Sequence, residues 1–110
     1  MGRASRLRPE RLPEKLRQIR LALGLSQNEM LRELGLDDLL YRNNVSGFEL
    51  GEREPAMIVV LRYAEAAGVW TDVLINDDLD LPEKLPCSPK HPGVARSKTP
   101  ARQKRKKSAE

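Results

Sequence analysis

One residue, Leu25, separates Gly24 from Ser26, and that spacing constrains the chain more than any other feature. Upstream, Leu12, Leu16, Ile19 and Leu23 recur at intervals of four, three and four, which lines one side of a helix. Pro13 suits the first turn of that helix, where its missing N–H costs nothing, and Gly24 suits the position just past its end. Downstream, Ser26-Gln27-Asn28-Glu29 has the form of a capping box: the Ser accepts from the amide three residues on, and the Glu reaches back. A helix that stops at Gly24 and another that starts at Ser26 leave no room for a loop. The two must turn sharply against each other.

The same punctuation continues. Met30, Leu31 and Leu34 form a short apolar stripe, and Gly35 closes the second helix. Residues 36–42 fit a helix or a turn. Helical character resumes around Asn43, where Val45, Phe48 and Glu49 or Leu50 fall at helical spacing up to Gly51. A loop over Gly51–Pro55 leads into a fourth helix, with Pro55 expected at or near its first position. Ile58, Leu61, Tyr63, Ala64 and Ala67 are its expected buried side, and Gly68 its stop. A short last helix, about Thr71 to Ile75, carries Thr71 and Asp72 at its positive end. Asn76 to Pro86 is acidic and Pro-punctuated. From Ser88 onward Pro, Ser, Lys and Arg dominate with little to bury, which predicts disorder. The expected architecture is all-α: a compact five-helix bundle over residues 12–80, a basic mobile arm at 1–11 and a Pro/Lys/Arg-rich disordered tail at 81–110. Four aromatics (Tyr41, Phe48, Tyr63, Trp70) against abundant Leu point to an aliphatic core.

The net charge of +4 describes no part of the chain. Residues 1–20 sum to +5, residues 21–87 to −8 and residues 88–110 to +7. Basic ends suggest a polyanion partner, while the acidic middle argues against one uniformly positive binding face. The acidic surplus lies largely in residues 72–83, where it is expected to face away from such a partner. No run approaches the roughly 20 apolar residues that a membrane span needs. A single Cys (Cys87) and a single His (His91) exclude a disulfide framework or a zinc finger built on one chain. A hydrolase triad is not expected from a lone His in a Pro/Lys-rich stretch, and no Gly-rich phosphate loop is present. Neither enzymatic turnover nor a cofactor is expected, and a cytoplasmic location is the default.

The run Leu16-x-x-Ile19-Arg20-x-x-Leu23-Gly24-Leu25-Ser26-Gln27-x-x-Met30 resembles the first half of the Xre-type helix-turn-helix family, the phage repressor and Cro-like DNA-binding domains. Val45-Ser46-x-Phe48-Glu49-x-Gly51-x-Arg53-x-Pro55, then Leu61-x-Tyr63-Ala64-x-Ala66-x-Gly68-Val69, resembles the rest. The resemblance covers about Leu12 to Ile75, with one departure. The stretch from Gly35 to Gly51 is longer than the family pattern, an insertion placed within Leu36–Tyr41. The resemblance implies a lambda-repressor-like fold and a sequence-specific transcriptional regulator, a repressor foremost, binding double-stranded DNA as a homodimer.

It also implies roles for particular residues. The third helix would enter the major groove, where short polar or basic side chains near its start meet base edges. Arg42, Asn43, Asn44, Ser46 and Gly47 are that set. Arg donates twice to guanine and Asn pairs bidentately with adenine. Gln27 would bond a phosphate beside the amides of its helix start, and Arg53 would reach the backbone or the adjacent minor groove. Arg20 and Glu49 match an internal ion pair. Plainer readings stand beside these. Arg42 is otherwise a solvated loop Arg, Asn43 or Asn44 a helix cap, Ser46 merely exposed, and Gly47 a packing position. Trp70, Val73, Leu74 and Ile75 fit either a dimer contact or the core, and Leu39, Leu40 and Tyr41 fit a core plug. The basic tail around Lys104–Lys107 adds non-specific phosphate contacts or is simply solvated. The alternative function on the same fold is an antitoxin, or another regulator that binds a toxin or other protein partner.

Overall fold

The computed structural model describes residues 7–86. The first six residues, Cys87, His91 and the Lys/Arg-rich tail lie outside them. Five helices account for the regular structure: α1 Leu12–Ala22, α2 Gln27–Leu34, α3 Arg42–Leu50, α4 Met57–Ala67 and α5 Thr71–Ile75. Among the described residues there is no strand, and no helix is long and apolar enough to cross a membrane.

The first two helices form as their sequences demand. Pro13 sits in the first turn of α1, and Gly24 adopts a left-handed φ of +73° after its last residues. Both halves of the α2 capping box are made, Glu29 N to Ser26 Oγ at 3.1 Å and Ser26 N to Glu29 Oε1 at 2.8 Å. Leu12, Leu16 and Ile19 of α1 meet Met30, Leu31 and Leu34 of α2 in one core with Val45 and Phe48 of α3. α3 packs on α1 and α2, α4 on α1 and α2, and α5 on α1 and α4.

Three sequence expectations shift. Pro55 precedes α4 rather than opening it, because Ala56 is the N-cap. The buried face of α4 is Val59, Val60, Tyr63, Ala64 and Ala67, while Ile58 and Leu61 are 50% and 39% exposed. The apolar run Met57–Leu61 covers every direction around the helix, so periodicity could not choose its inner side. In the insertion only Leu36 enters the core fully and Leu40 partly. The amides of Leu39 and Leu40 both donate to the Leu36 carbonyl at 2.9 Å, a single turn that leaves Leu39 and Tyr41 outside. They are no core plug. Leu74 is fully buried and Val73 packs on the core, as the packing reading of that segment requires.

The first and last helices of the domain cap each other. The first helix lacks a side-chain cap of its own, since Arg11 occupies its N-cap. Asp77 supplies one from the far end of the domain, accepting from the Glu10 and Arg11 amides at 3.0 Å each. In return Lys15, fully buried, donates from Nζ to the carbonyls of Val73 (2.8 Å) and Asn76 (2.9 Å) at the end of α5. Arg11 adds bonds to the Asp77 carbonyl at 2.8 Å and the Asp80 carboxylate at 2.7 Å. Glu10 and Arg11, assigned to a mobile arm by composition, are therefore fastened to the domain.

The amides of Glu10 and Arg11 hold the Asp77 carboxyl below its ordinary value. A depressed folded-state pKa contributes stability that is complete above the unfolded value near 3.8 and is lost as pH falls through the folded one. Asp77→Asn is expected to flatten the acid limb of a stability-against-pH curve below about pH 4. The limb should persist in part, because Ser26 holds Glu29 low in the same direction. An unchanged acid limb would show that Asp77 does not cap α1 in solution.

Candidate nucleic-acid interface

The exposed side of α3 is set by what its other side must bury. Val45 is fully buried and Phe48 is 4% exposed, and Glu49 is also inside. Helical spacing then carries Arg42, Asn43 and Ser46 to the outer face, with Arg42 and Asn43 exposed and Ser46 half-buried. Asn44 is differently employed. Its Oδ1 accepts from the Tyr41 amide at 2.8 Å, so it helps close the start of the helix and is half-buried. Of the two asparagines, Asn44 is the capping residue and Asn43 is the one left open.

Gly47 is buried rather than presented to solvent. A Cβ placed there would lie 3.2 Å from the Cβ of Arg53. The Gly47 carbonyl accepts from the amides of Glu52 (2.9 Å) and Arg53 (3.2 Å). Packing is thus the reason for glycine here: it lets the loop after α3 fold back and rest Arg53 on the helix. That Arg53 side chain is exposed, beside the same face that carries Asn43.

Behind this surface, Arg20 and Glu49 form a two-pronged ion pair, Nε to Oε2 at 2.6 Å and Nη2 to Oε1 at 3.0 Å. Their side chains are 13% and 4% exposed. Arg20 Nη1 also donates to the Leu25 carbonyl at 3.0 Å, so one guanidinium ties α1 and α3 to the tight turn before α2. The Glu49 hydrogen bonds raise the Arg20 pKa, keeping it charged. Gln27 opens α2 beside this pair, with Nε2 3.4 Å from Glu49 Oε1. Ser26 satisfies the Glu29 amide, which leaves the Gln27 and Asn28 amides without an intrahelical acceptor. Gln27 and its helix start therefore stand at the C-terminal half of α3, and Arg42 and Asn43 at the other end. The carboxylates of Asp77 and Asp80 bind Arg11, not Arg42. Among the described residues no group of three or more His, Cys, Asp or Glu is gathered as a metal site.

Tyr63 lies under the ion pair with no exposure, and its hydroxyl has no hydrogen-bond partner among the described residues. Burial pushes its phenol pKa up. Leaving such a group unpaired costs about 1–3 kcal/mol, so Tyr63→Phe should raise stability, by about 1 kcal/mol, in urea denaturation. A loss of that size would instead mean that the hydroxyl is bonded in solution.

Sequence reasoning passed over Lys15 and Asp77, the cross-capping pair. Lys15 carries a charge on an apolar face, which periodicity scores as an interruption. Asp77 acts across the domain, and no local signal marks that. Compared with protein-family models, with curated proteins and with solved structures, the chain finds no match.

Proposed function

We propose that this domain is a helix-turn-helix reader of double-stranded DNA, a transcriptional regulator of the Xre type that represses as a homodimer. α3 enters the major groove, and Arg42, Asn43 and Ser46 meet base edges. Gln27 with the α2 amides holds one stretch of phosphate backbone, and Arg53 meets the backbone beside it. The observation that carries the reading is the division of α3: an open polar face of Arg42, Asn43 and Ser46 flanked by Arg53, over a buried Val45 and Phe48. The braced turn between α1 and α2 supports it, because a reading helix must be held rigidly to discriminate.

Selection of bound duplexes from a random pool tests this directly. A two-fold site with half-sites about one helical turn apart is expected. Arg42→Ala should then narrow the gap between the selected and a random duplex by about 1–3 kcal/mol, measured by fluorescence anisotropy. Equal affinity of the wild-type chain for every duplex at moderate salt would sink the reading.

A second reading, a regulator that docks a protein such as a toxin, has one observation in its favour. Leu39 and Tyr41, two residues apart in the segment before α3, are 74% and 78% exposed. Stoichiometric co-purification of a partner without any duplex preference would favour it.

A further inference from the structure

A cleft of about 510 Å³ opens between the start of α1 and the loop after α3. Leu12, Pro13, Leu50 and Pro55 give it apolar walls, and Arg8, Arg17 and Arg53 line it. We propose that this cleft is a phosphate-backbone site, in which Arg8 and Arg17 join Arg53 in holding the DNA strand at the C-terminal end of α3. The inference rests on the DNA-binding reading and extends it to two residues that no motif marks.

Four carboxylates, those of Glu10, Glu14, Glu49 and Glu54, line the cleft beside the three arginines, and what favours an anion is that the arginines are uncommitted. Glu49 lines it but is taken up by Arg20. Glu14 lines it and is bonded at 3.2 Å to Arg11, a guanidinium it shares with Asp80. Glu54 is also engaged. Beside these stand three guanidiniums that make no hydrogen bond or ion pair among the described residues. An unpaired guanidinium presents a planar fork of donors that suits phosphate oxygens.

Position supports the same occupant. Asn43, Gly47 and Leu50 follow one face of α3, and seven residues of helix advance about 10 Å. The major groove is about 12 Å wide. A helix whose first turn meets bases at the groove floor therefore brings its other end to the groove wall, which is phosphate. Leu50 stands at that end and lines the cleft, 67% exposed despite being apolar. Arg53 is shared by both surfaces, since it packs on Gly47 and lines the cleft.

The frame around the three arginines is fixed. Arg17 projects from α1, one helical turn before the braced Arg20. Arg53 is held by the two amide bonds to the Gly47 carbonyl described above. Arg8 lies two residues before Glu10, whose amide is bonded to Asp77, so that clasp keeps Arg8 beside the cleft.

The test uses the full chain with the duplex recovered by selection and with a random duplex, titrated across a series of salt concentrations. Arg8→Ala and Arg17→Ala should each reduce the slope of log K against log salt by about 1, and the double variant by about 2. Both duplexes should lose affinity by the same factor, leaving their ranking unchanged, because backbone contacts carry no sequence information. Arg32→Ala, on the exposed side of α2 and away from the cleft, removes an equal charge and should change the slope by much less. These arginines are exposed, so the variants should keep the wild-type helical circular dichroism. If the wild-type chain selects a duplex but the cleft variants behave like Arg32→Ala, the cleft assignment fails and the DNA reading stands. If the wild-type chain shows no salt-dependent duplex binding, both fall together.

Discussion

Glu49→Ala is expected to cost the domain about 3–5 kcal/mol, because it strands a guanidinium that is almost wholly out of water. Arg20 is 13% exposed at its side chain and has one remaining acceptor, the Leu25 carbonyl. A domain of this size has a total stability near the low end of about 5–15 kcal/mol, so the variant should be largely unfolded at 37 °C. Arg20→Ala strands the other partner and should also destabilise, since it leaves the buried Glu49 carboxylate with the long Gln27 contact. The double variant Arg20→Met with Glu49→Leu removes both charges and keeps the volume, and it should recover most of the lost stability. Chemical denaturation of the four proteins checks the set. If Glu49→Ala loses less than about 1 kcal/mol, the pair behaves as a surface salt bridge and is not what braces the turn.

That brace was anticipated through the resemblance alone, since Arg20 and Glu49 lie on different helices and no local pattern pairs them. The stops at Gly24, Gly35, Gly51 and Gly68, by contrast, were legible from the residues themselves. Each adopts positive φ, between +72° and +78°, which side chains other than glycine resist. The α2 cap was legible because a Ser and a Glu three residues apart have one geometry available to them. What escaped was decided by tertiary packing. The inner side of α4 depended on which of five consecutive apolar residues met α1, α2 and α5. The role of Gly47 depended on where a loop six residues later would lie. Asn43 and Asn44 differ only in which one reaches the Tyr41 amide. At the cleft, Arg17 is one more arginine on a basic helix until Arg53 and Arg8 are seen around the same opening.

Lys15→Ala should lower stability by about 3 kcal/mol, the second largest effect expected. The four-carbon stem is fully buried in the core, and its ammonium is the partner of two carbonyls at the end of a five-residue helix. Lys15→Met separates those contributions: it keeps the stem, loses the donor and should cost about 1–2 kcal/mol. The pH dependence distinguishes the charge from the packing. Burial, followed by the nearby Arg11 charge, lowers the Lys15 pKa below its ordinary 10.5. The unfolded chain therefore holds the proton to higher pH than the folded one, and wild-type stability should gain a rising contribution between the lowered value and 10.5. Lys15→Met lacks that contribution. Tyr63 acts in the opposite sense, since its raised phenol pKa costs stability as pH climbs above 10, but it is common to both proteins. The difference curve between wild type and Lys15→Met thus isolates the lysine. Because Lys15 holds the end of α5 and Asp77 follows directly, its loss should also loosen the clasp on Glu10 and Arg11. Hydrogen exchange at those two amides should accelerate in Lys15→Met, while the Ser26 and Glu29 amides of the α2 cap keep their protection. Equal acceleration at both places would mean global destabilisation, and the start of α1 and the end of α5 would then not act as one capped unit.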